Sequence, residues 1–496
     1  MRWSSQAILA SLIINSACLN IYAPCLAEVT PQPEFQPAVV PNPASTHSWE
    51  PNDSNGQRKI EELTKQILLQ LIQIERLNTE FRIASLKDDK WRGWRQFGYT
   101  MQNSSLTEAS QIINMKLRYG FIKKPPVINN RMTRRRPLEV GDLTSTQIPS
   151  LVGNSIGTAA PIFELGVNTR KYLHDRKRGL TPGPVRAHIS QDLEEIDNLL
   201  KRRAALISTA GFNKEQLEFI ETETDVLHNI RDLADLQSKR YYLHAKKFSS
   251  FQISAYLIDV LKNSTGMVSN IIAINGIQER RPRLGGTANI FTTISGAATL
   301  AIPVGSRLYA KLVYEYYRRK KFPELATFKD AVDKERAMMD AYEKNLHRLV
   351  LLAKKENIYP YEDGMNNRIY VYAHQNVLFS NQEEVMLREI RQDLNTTLET
   401  YVVAGTAGNT KITSGILGMI ADYKYYNKPI IANKLSAAGS TVYGAGTGAQ
   451  MLEVIASKAR QQLTQRKLSA KHSLPSELRQ QRLELLSIME NRASYQ

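Results

Sequence analysis

From Gln57 onward, apolar residues recur at alternating three- and four-residue steps: Ile60, Leu63, Ile67, Ile74, Leu77, Phe81 and Ala84. Gln70 breaks the seam, with Leu71 beside it, and Glu, Lys and Arg fill the other face. That period predicts one long amphipathic helix. The same spacing runs through Leu193 to Ser208, Glu215 to Phe251, Phe328 to Lys355 and Gln382 to Leu398. A second kind of stretch interrupts these. Leu284 to Gly305 carries no charge, is dominated by Gly, Ala, Ser and Thr, and lies between two basic clusters. Related stretches are Leu143 to Phe163 and Gly444 to Leu452.

The two kinds alternate in a fixed order. An apolar segment comes first, then a basic turn with proline, an uncharged small-residue segment, a basic segment, a proline break and an amphipathic helix. Asn263 to Gln278 precedes Arg280, Arg281 and Arg283; Ile412 to Ala421 precedes Lys424 and Lys428. This predicts a degenerate internal repeat of roughly 140 to 150 residues, longer than the familiar solenoid periods. Its copies are expected at residues 57–184 (the most divergent), 185–322 and 323–474, with a final helix over 475–496. The fold class that follows is all-α: long amphipathic helices with small-residue-rich apolar helical hairpins. Arg368 to Tyr372 has strand-like composition, but it lacks a partner strand and is expected to cap or continue a helix.

The N-terminus reads as a secretory signal over residues 1–27. Arg2 supplies the positive start, Ala7 to Ile14 the apolar core, and Cys25-Leu26-Ala27 the small-residue cleavage site. Both cysteines, Cys18 and Cys25, lie inside it, so the processed chain is expected to hold no disulfide and no thiol ligand. Residues 28–56 are proline-rich and predict an extended linker.

Charge changes the picture. The net charge is +17 over 496 residues, which favours acidic partners. Small residues suit close helix–helix approach of the kind found in membrane bundles, and Leu284 to Gly305 is long enough for a bilayer span of about 20 residues. The expected partner is therefore a membrane or anionic lipid surface, met by Arg280, Arg281, Arg283, Lys424 and Lys428 at the turns and by Tyr316, Tyr317, Arg318, Arg319, Lys320 and Lys321 on the outer flank. Long cations can snorkel there. The same helices allow a homo-oligomer, and no nucleic acid is expected. Features that weigh the other way are an outer flank as basic as the turn, Lys411 in the third hairpin and the brevity of Asn263 to Gln278; the first copy also departs from the repeat in carrying Glu108, Lys116 and Arg118.

Two short motifs carry chemistry elsewhere. Gly153-Asn154-Ser155-Ile156-Gly157 resembles the nucleophile elbow of α/β-hydrolases, which would make Ser155 the nucleophile of a secreted serine hydrolase. Gly444-Ala445-Gly446-Thr447-Gly448-Ala449 fits the phosphate turn of dinucleotide-binding folds, but the acidic residue expected some 20 positions on is absent. His174, His188, His228, His244, His347 and His374 are scattered without metal-ligand spacing. The reading with most support is a non-enzymatic exported envelope protein with a structural or interaction role at a membrane, without cofactor or metal. The alternatives are the serine hydrolase and a soluble periplasmic module binding an acidic polymer.

Overall fold

The computed structural model describes residues 54–86, 92–123, 140–325, 328–354, 365–376, 378, 405–470 and 475–494. The expected signal and most of the linker lie outside them, as do Trp91 and Gln382 to Leu398. The described residues are about 94% helical and contain no strand, so the class is all-α. In chain order the helices are α1 (Ser54–Leu86), α2 (Arg92–Lys123), α3 (Val140–Ser145), α4 (Ile148–Lys177), α5 (Pro182–Thr209), α6 (Lys214–Gln278), α7 (Pro282–Lys321), α8 (Phe328–Ala353), α9 (365–376), α10 (405–424), α11 (Pro429–Ala470) and α12 (Pro475–Ser494). The last turn of α10, Ile420–Lys424, is a π-helical turn. Arg368 to Tyr372 is helical, within α9.

Two bundles divide the helices by composition. In the first, α1, α5, the N-terminal half of α6, α8, α9 and α12 share one apolar core. It includes Ile67, Leu71, Phe81, Ile189, Ile196, Phe219, Leu227, Leu233, Leu349, Tyr372 and Leu486. Each such side chain contributes roughly 1.5–3 kcal/mol when fully buried, so this bundle is held as a water-soluble domain is. It also encloses a charged cluster. Glu223 accepts from Arg203 (2.7 Å) and Tyr372 (3.1 Å), and Arg368 Nε lies 3.1 Å from it. Arg203, fully buried, also donates to Thr64 Oγ1 at 2.9 Å.

Helix α6 joins the two bundles. Its 65 residues make a rod of about 97 Å at 1.5 Å per residue. The spacing predicts an amphipathic helix to Phe251 and a separate apolar segment from Asn263, but nothing between them breaks a helix and the two are continuous. Asn213 caps the start in a reciprocal box with Gln216. The end is a Schellman turn: Arg281 N–H donates to Gly276 O (2.8 Å) and Arg280 N–H to Ile277 O (3.2 Å). Arg280 takes the left-handed position with φ 54°.

The second bundle is a closed ring of six helices: α2, α4, the C-terminal half of α6, α7, α10 and α11. Neighbours run antiparallel throughout, and each contact rests on residues too small to keep backbones apart. Asn154 of α4 fills the space a Cβ on Gly266 of α6 would need. Gly296 of α7 and Gly408 of α10 meet almost backbone to backbone, a Cβ on either falling 3.0 Å from the other's carbonyl oxygen. Gly446 of α11 abuts Thr410 of α10, and Asn114 of α2 donates to Ser440 Oγ of α11 at 2.7 Å, which closes the ring.

Candidate functional site

The interior of this ring is polar, and one layer of contacting side chains passes through all six helices. Thr107 Oγ1 donates to Asn103 Oδ1 (3.5 Å) on α2, and Asn103 Nδ2 donates to Asn263 Oδ1 of α6 (3.2 Å). Asn263 Nδ2 donates to Gly157 O of α4 (2.8 Å) and to Asp259. Asp259 pairs with Lys262 at 2.5 Å. Ser295 of α7 donates to Lys262 O (2.6 Å) and accepts from Lys411 Nζ of α10 (2.7 Å). Lys411 stands 5.7 Å from the ring centre of Tyr443 on α11. The next residue, Gly444, faces Glu108 of α2: a Cβ there would lie 3.4 Å from Glu108 Oε1.

Two members of this girdle are electrostatically unfinished. Lys411 is only 8% exposed, and among the described residues no carboxylate lies within ion-pair distance of it. Glu108 Oε2 is out of solvent and accepts no hydrogen bond from the described residues. A buried ionised group without a partner costs several kcal/mol; that cost falls on Lys411, while Glu108 is only partly buried.

The polar lining extends along the ring axis on both sides of the girdle. Toward the turns, Arg118 donates to Asn114 Oδ1 (2.7 Å) and Asn433 Oδ1 (2.9 Å), while Asn289 Nδ2 donates to Asp422 (2.9 Å). Toward the first bundle, Gln96 donates to Tyr256 OH (3.2 Å), and Arg95 makes a two-pronged bond to Glu164 (2.8 and 3.1 Å).

Residues expected to contact a membrane or anion fall at opposite ends of this ring. Arg280, Arg281, Arg283, Lys424 and Lys428 lie at the turn end. The other group lies where α7 enters the first bundle. There Tyr316 and Arg319 are exposed and Lys320 donates to Tyr316 OH at 3.1 Å. Tyr317 packs edge-on against Tyr242, and Arg318 is drawn onto Glu315 (2.7 Å). Lys321 sits 5.3 Å from the Tyr242 ring centre.

Ser155 lies in the middle of α4, donating to Leu151 O at 2.8 Å, and no strand-to-helix turn presents it. Its two flanking glycines have a packing role instead: Gly153 faces Asn103, and a Cβ on Gly157 would collide with Asn103 and Asn263. The same five residues therefore serve as a small-xxx-small contact. Gly444 to Ala449 is likewise interior to α11, without the turn a phosphate would need. Among the described residues no three His, Cys, Asp or Glu side chains converge as metal ligands. Comparison with protein-family models, characterised proteins and solved structures gives no match.

Proposed function

We propose that this is an exported protein of the cell envelope whose six-helix ring lies in a lipid bilayer and whose first bundle projects as an aqueous interaction platform. The observation that carries this reading is an inverted burial pattern. Among the described residues, nearly every large apolar side chain left exposed belongs to the six ring helices. Ile148, Val152, Phe163, Ile253, Leu257, Leu261, Ile290, Ile294, Val304 and Ile416 form their outer stripes, and only Leu351, Tyr426 and Ile488 lie elsewhere. Water would penalise that surface; hydrocarbon would not.

The lengths agree with a bilayer. Charge is absent from 148–163 on α4, 284–306 on α7 and 435–452 on α11, which is about 24–35 Å of helix against about 30 Å of hydrocarbon. By length and composition α7 qualifies as a span. Among the described residues it is the one helix that does; α2 carries Glu108, Lys116 and Arg118, α6 carries Asp259 and Lys262, and α10 carries Lys411. Charges gather at both ends of these lengths, where headgroups lie. With a removed signal, the first bundle is outside and the Arg280–Arg283 turn inside, with basic residues at both ends.

The test is fractionation of the full-length protein with and without a carbonate wash. Retention in the washed membrane pellet is the expected result. Quantitative release overturns the reading in favour of a soluble basic module that binds an acidic polymer.

A further inference from the structure

We propose that the two hairpin turns at the end of the ring away from the first bundle form one binding surface for anionic phospholipid headgroups, centred on Arg283 and Lys424. This rests on the membrane reading above and adds which lipids the ring holds and at which end. The turns are docked on each other. A Cβ on Gly286 of α7 would fall 2.6 Å from the ring of Tyr423 of α10, and the Tyr423 hydroxyl lies 3.1 Å from Thr287 Oγ1. Lys424 follows Tyr423 directly and Arg283 stands one helical turn before Thr287, so the contact gathers cations of both turns at one place. Arg280, Arg281 and Lys428 flank them, and all five are exposed.

Two observations select a lipid. First, the charge here is left open. Glu279 pairs with Arg281 at 3.3 Å, and Asp422 is turned inward, bonded to Asn289 at 2.9 Å. Neither α7 nor α11 has an acidic residue in its first turn. Among the described residues, no carboxylate lies within ion-pair distance of Arg280, Arg283, Lys424 or Lys428. Cations clustered beside spanning helices attract anionic headgroups, and a guanidinium can meet two phosphate oxygens at once. Second, the apolar stripe runs up to this charge: Ile420, Ile430, Ile431 and Tyr426 are exposed beside it. A ligand seated there meets hydrocarbon and cations together, which suits a phospholipid and not a soluble polyanion.

The basic group at the other end of α7 differs on both counts. Arg318 is held by Glu315 (2.7 Å), Lys320 by Tyr316, and Lys321 lies against Tyr242. Residues 318–321 also stand about 12 to 15 positions past Ser306, where the charge-free length of α7 ends. That is about 18–22 Å of helix, against roughly 5–8 Å of headgroup region on each side of the hydrocarbon. At the turns, Arg283 immediately precedes the charge-free length.

The experiment uses the full-length protein. Flotation with carbonate-washed vesicles of pure phosphatidylcholine is scored first and reports on the membrane reading alone. The protein is then held in detergent micelles with equal phosphatidylglycerol and phosphatidylcholine, and the lipid retained through gel filtration is counted. Wild type is expected to retain phosphatidylglycerol in at least about fivefold excess, the effect of one cation near a lipid surface. The triple variant Arg283→Gln, Lys424→Gln, Lys428→Gln should bring the ratio close to one. Arg319→Gln, Lys320→Gln, Lys321→Gln should leave it unchanged. If the turn variant does not assemble, Arg283→Gln and Lys424→Gln are read singly, each lowering the ratio several-fold. Equal retention of the two lipids by the wild type overturns the lipid surface and leaves the membrane reading standing. So does a turn variant that keeps the excess, or a flank variant that loses it. Protein that does not float removes both.

Discussion

Glu223 offers the sharpest test of how the first bundle is held together. Its carboxylate touches two buried guanidiniums: Arg203 at 2.7 Å and Arg368 at 3.1 Å, with Tyr372 OH on the same oxygen as Arg368 at 3.1 Å. Glu223→Gln keeps the shape and removes the charge. Arg203 then stays buried without the anion that compensated it, and Arg368 loses its contact with the same carboxylate. Breaking a buried pair from one side costs about 3–5 kcal/mol, a large share of the roughly 5–15 kcal/mol that holds a domain together. Urea unfolding of purified wild type and variant, followed by pulse proteolysis so that both report the same opening, measures the loss. The combined replacement Arg203→Met, Glu223→Leu, Arg368→Met removes the whole cluster and is expected to recover most of it, because well-packed apolar side chains avoid the desolvation cost altogether. A cost below about 1 kcal/mol for Glu223→Gln, within the range of exposed pairs, would refute the reasoning. So would a triple variant no more stable than the single one.

Other expectations follow from the same structure. His244 lies outside the charge-free lengths, with Nε2 out of solvent; burial first, then Lys247, Arg240 and Arg82, push its pKa down to about 3. The unfolded chain, near 6.5, binds the extra proton between these values. Stability is thus full above about pH 7 and falls as pH drops toward 3, by at most about 1.4 kcal/mol per pH unit. Unfolding midpoints across that range should slope more steeply for wild type than for His244→Leu. Gly296→Val should separate α7 from α10, since even its Cβ would lie 2.8 Å from Ile412 Cγ1 and 2.9 Å from Ile412 N; the expected cost is about 1–3 kcal/mol, read as a lower aggregation temperature in detergent. Arg280→Gly should stabilise by about 1 kcal/mol, because the left-handed position penalises a side chain, and thermal unfolding of the purified chain reads it. Asn213→Ala should cost about 0.5–2 kcal/mol through loss of the α6 cap, with the early turns of α6 losing hydrogen-exchange protection.

The all-α class was legible in the sequence, and so were the amphipathic helices of the first bundle. In α1, Ile60, Ile67, Ile74 and Phe81 are buried at the positions their spacing marks, because one apolar stripe against one core leaves a periodic record. The charge-free tract of α7 was legible for a similar reason: an excluded residue type is visible without knowing the neighbours. The girdle left no such record. Glu108, Asn263, Ser295 and Lys411 are single residues on four helices, and Lys411 reads in the chain as a flaw in an apolar hairpin. Only the ring brings it to Ser295, and only the contact of α11 with α2 sets Gly444 against Glu108. Likewise Gly153 to Gly157 is compatible locally with an elbow or a helix contact, and the choice is made by Asn103 and Asn263 filling the space beside its glycines. Periodicity is a property of one helix against one environment and survives in one dimension; a polar site shared by six helices depends on register and closure, which exist only after the chain has folded.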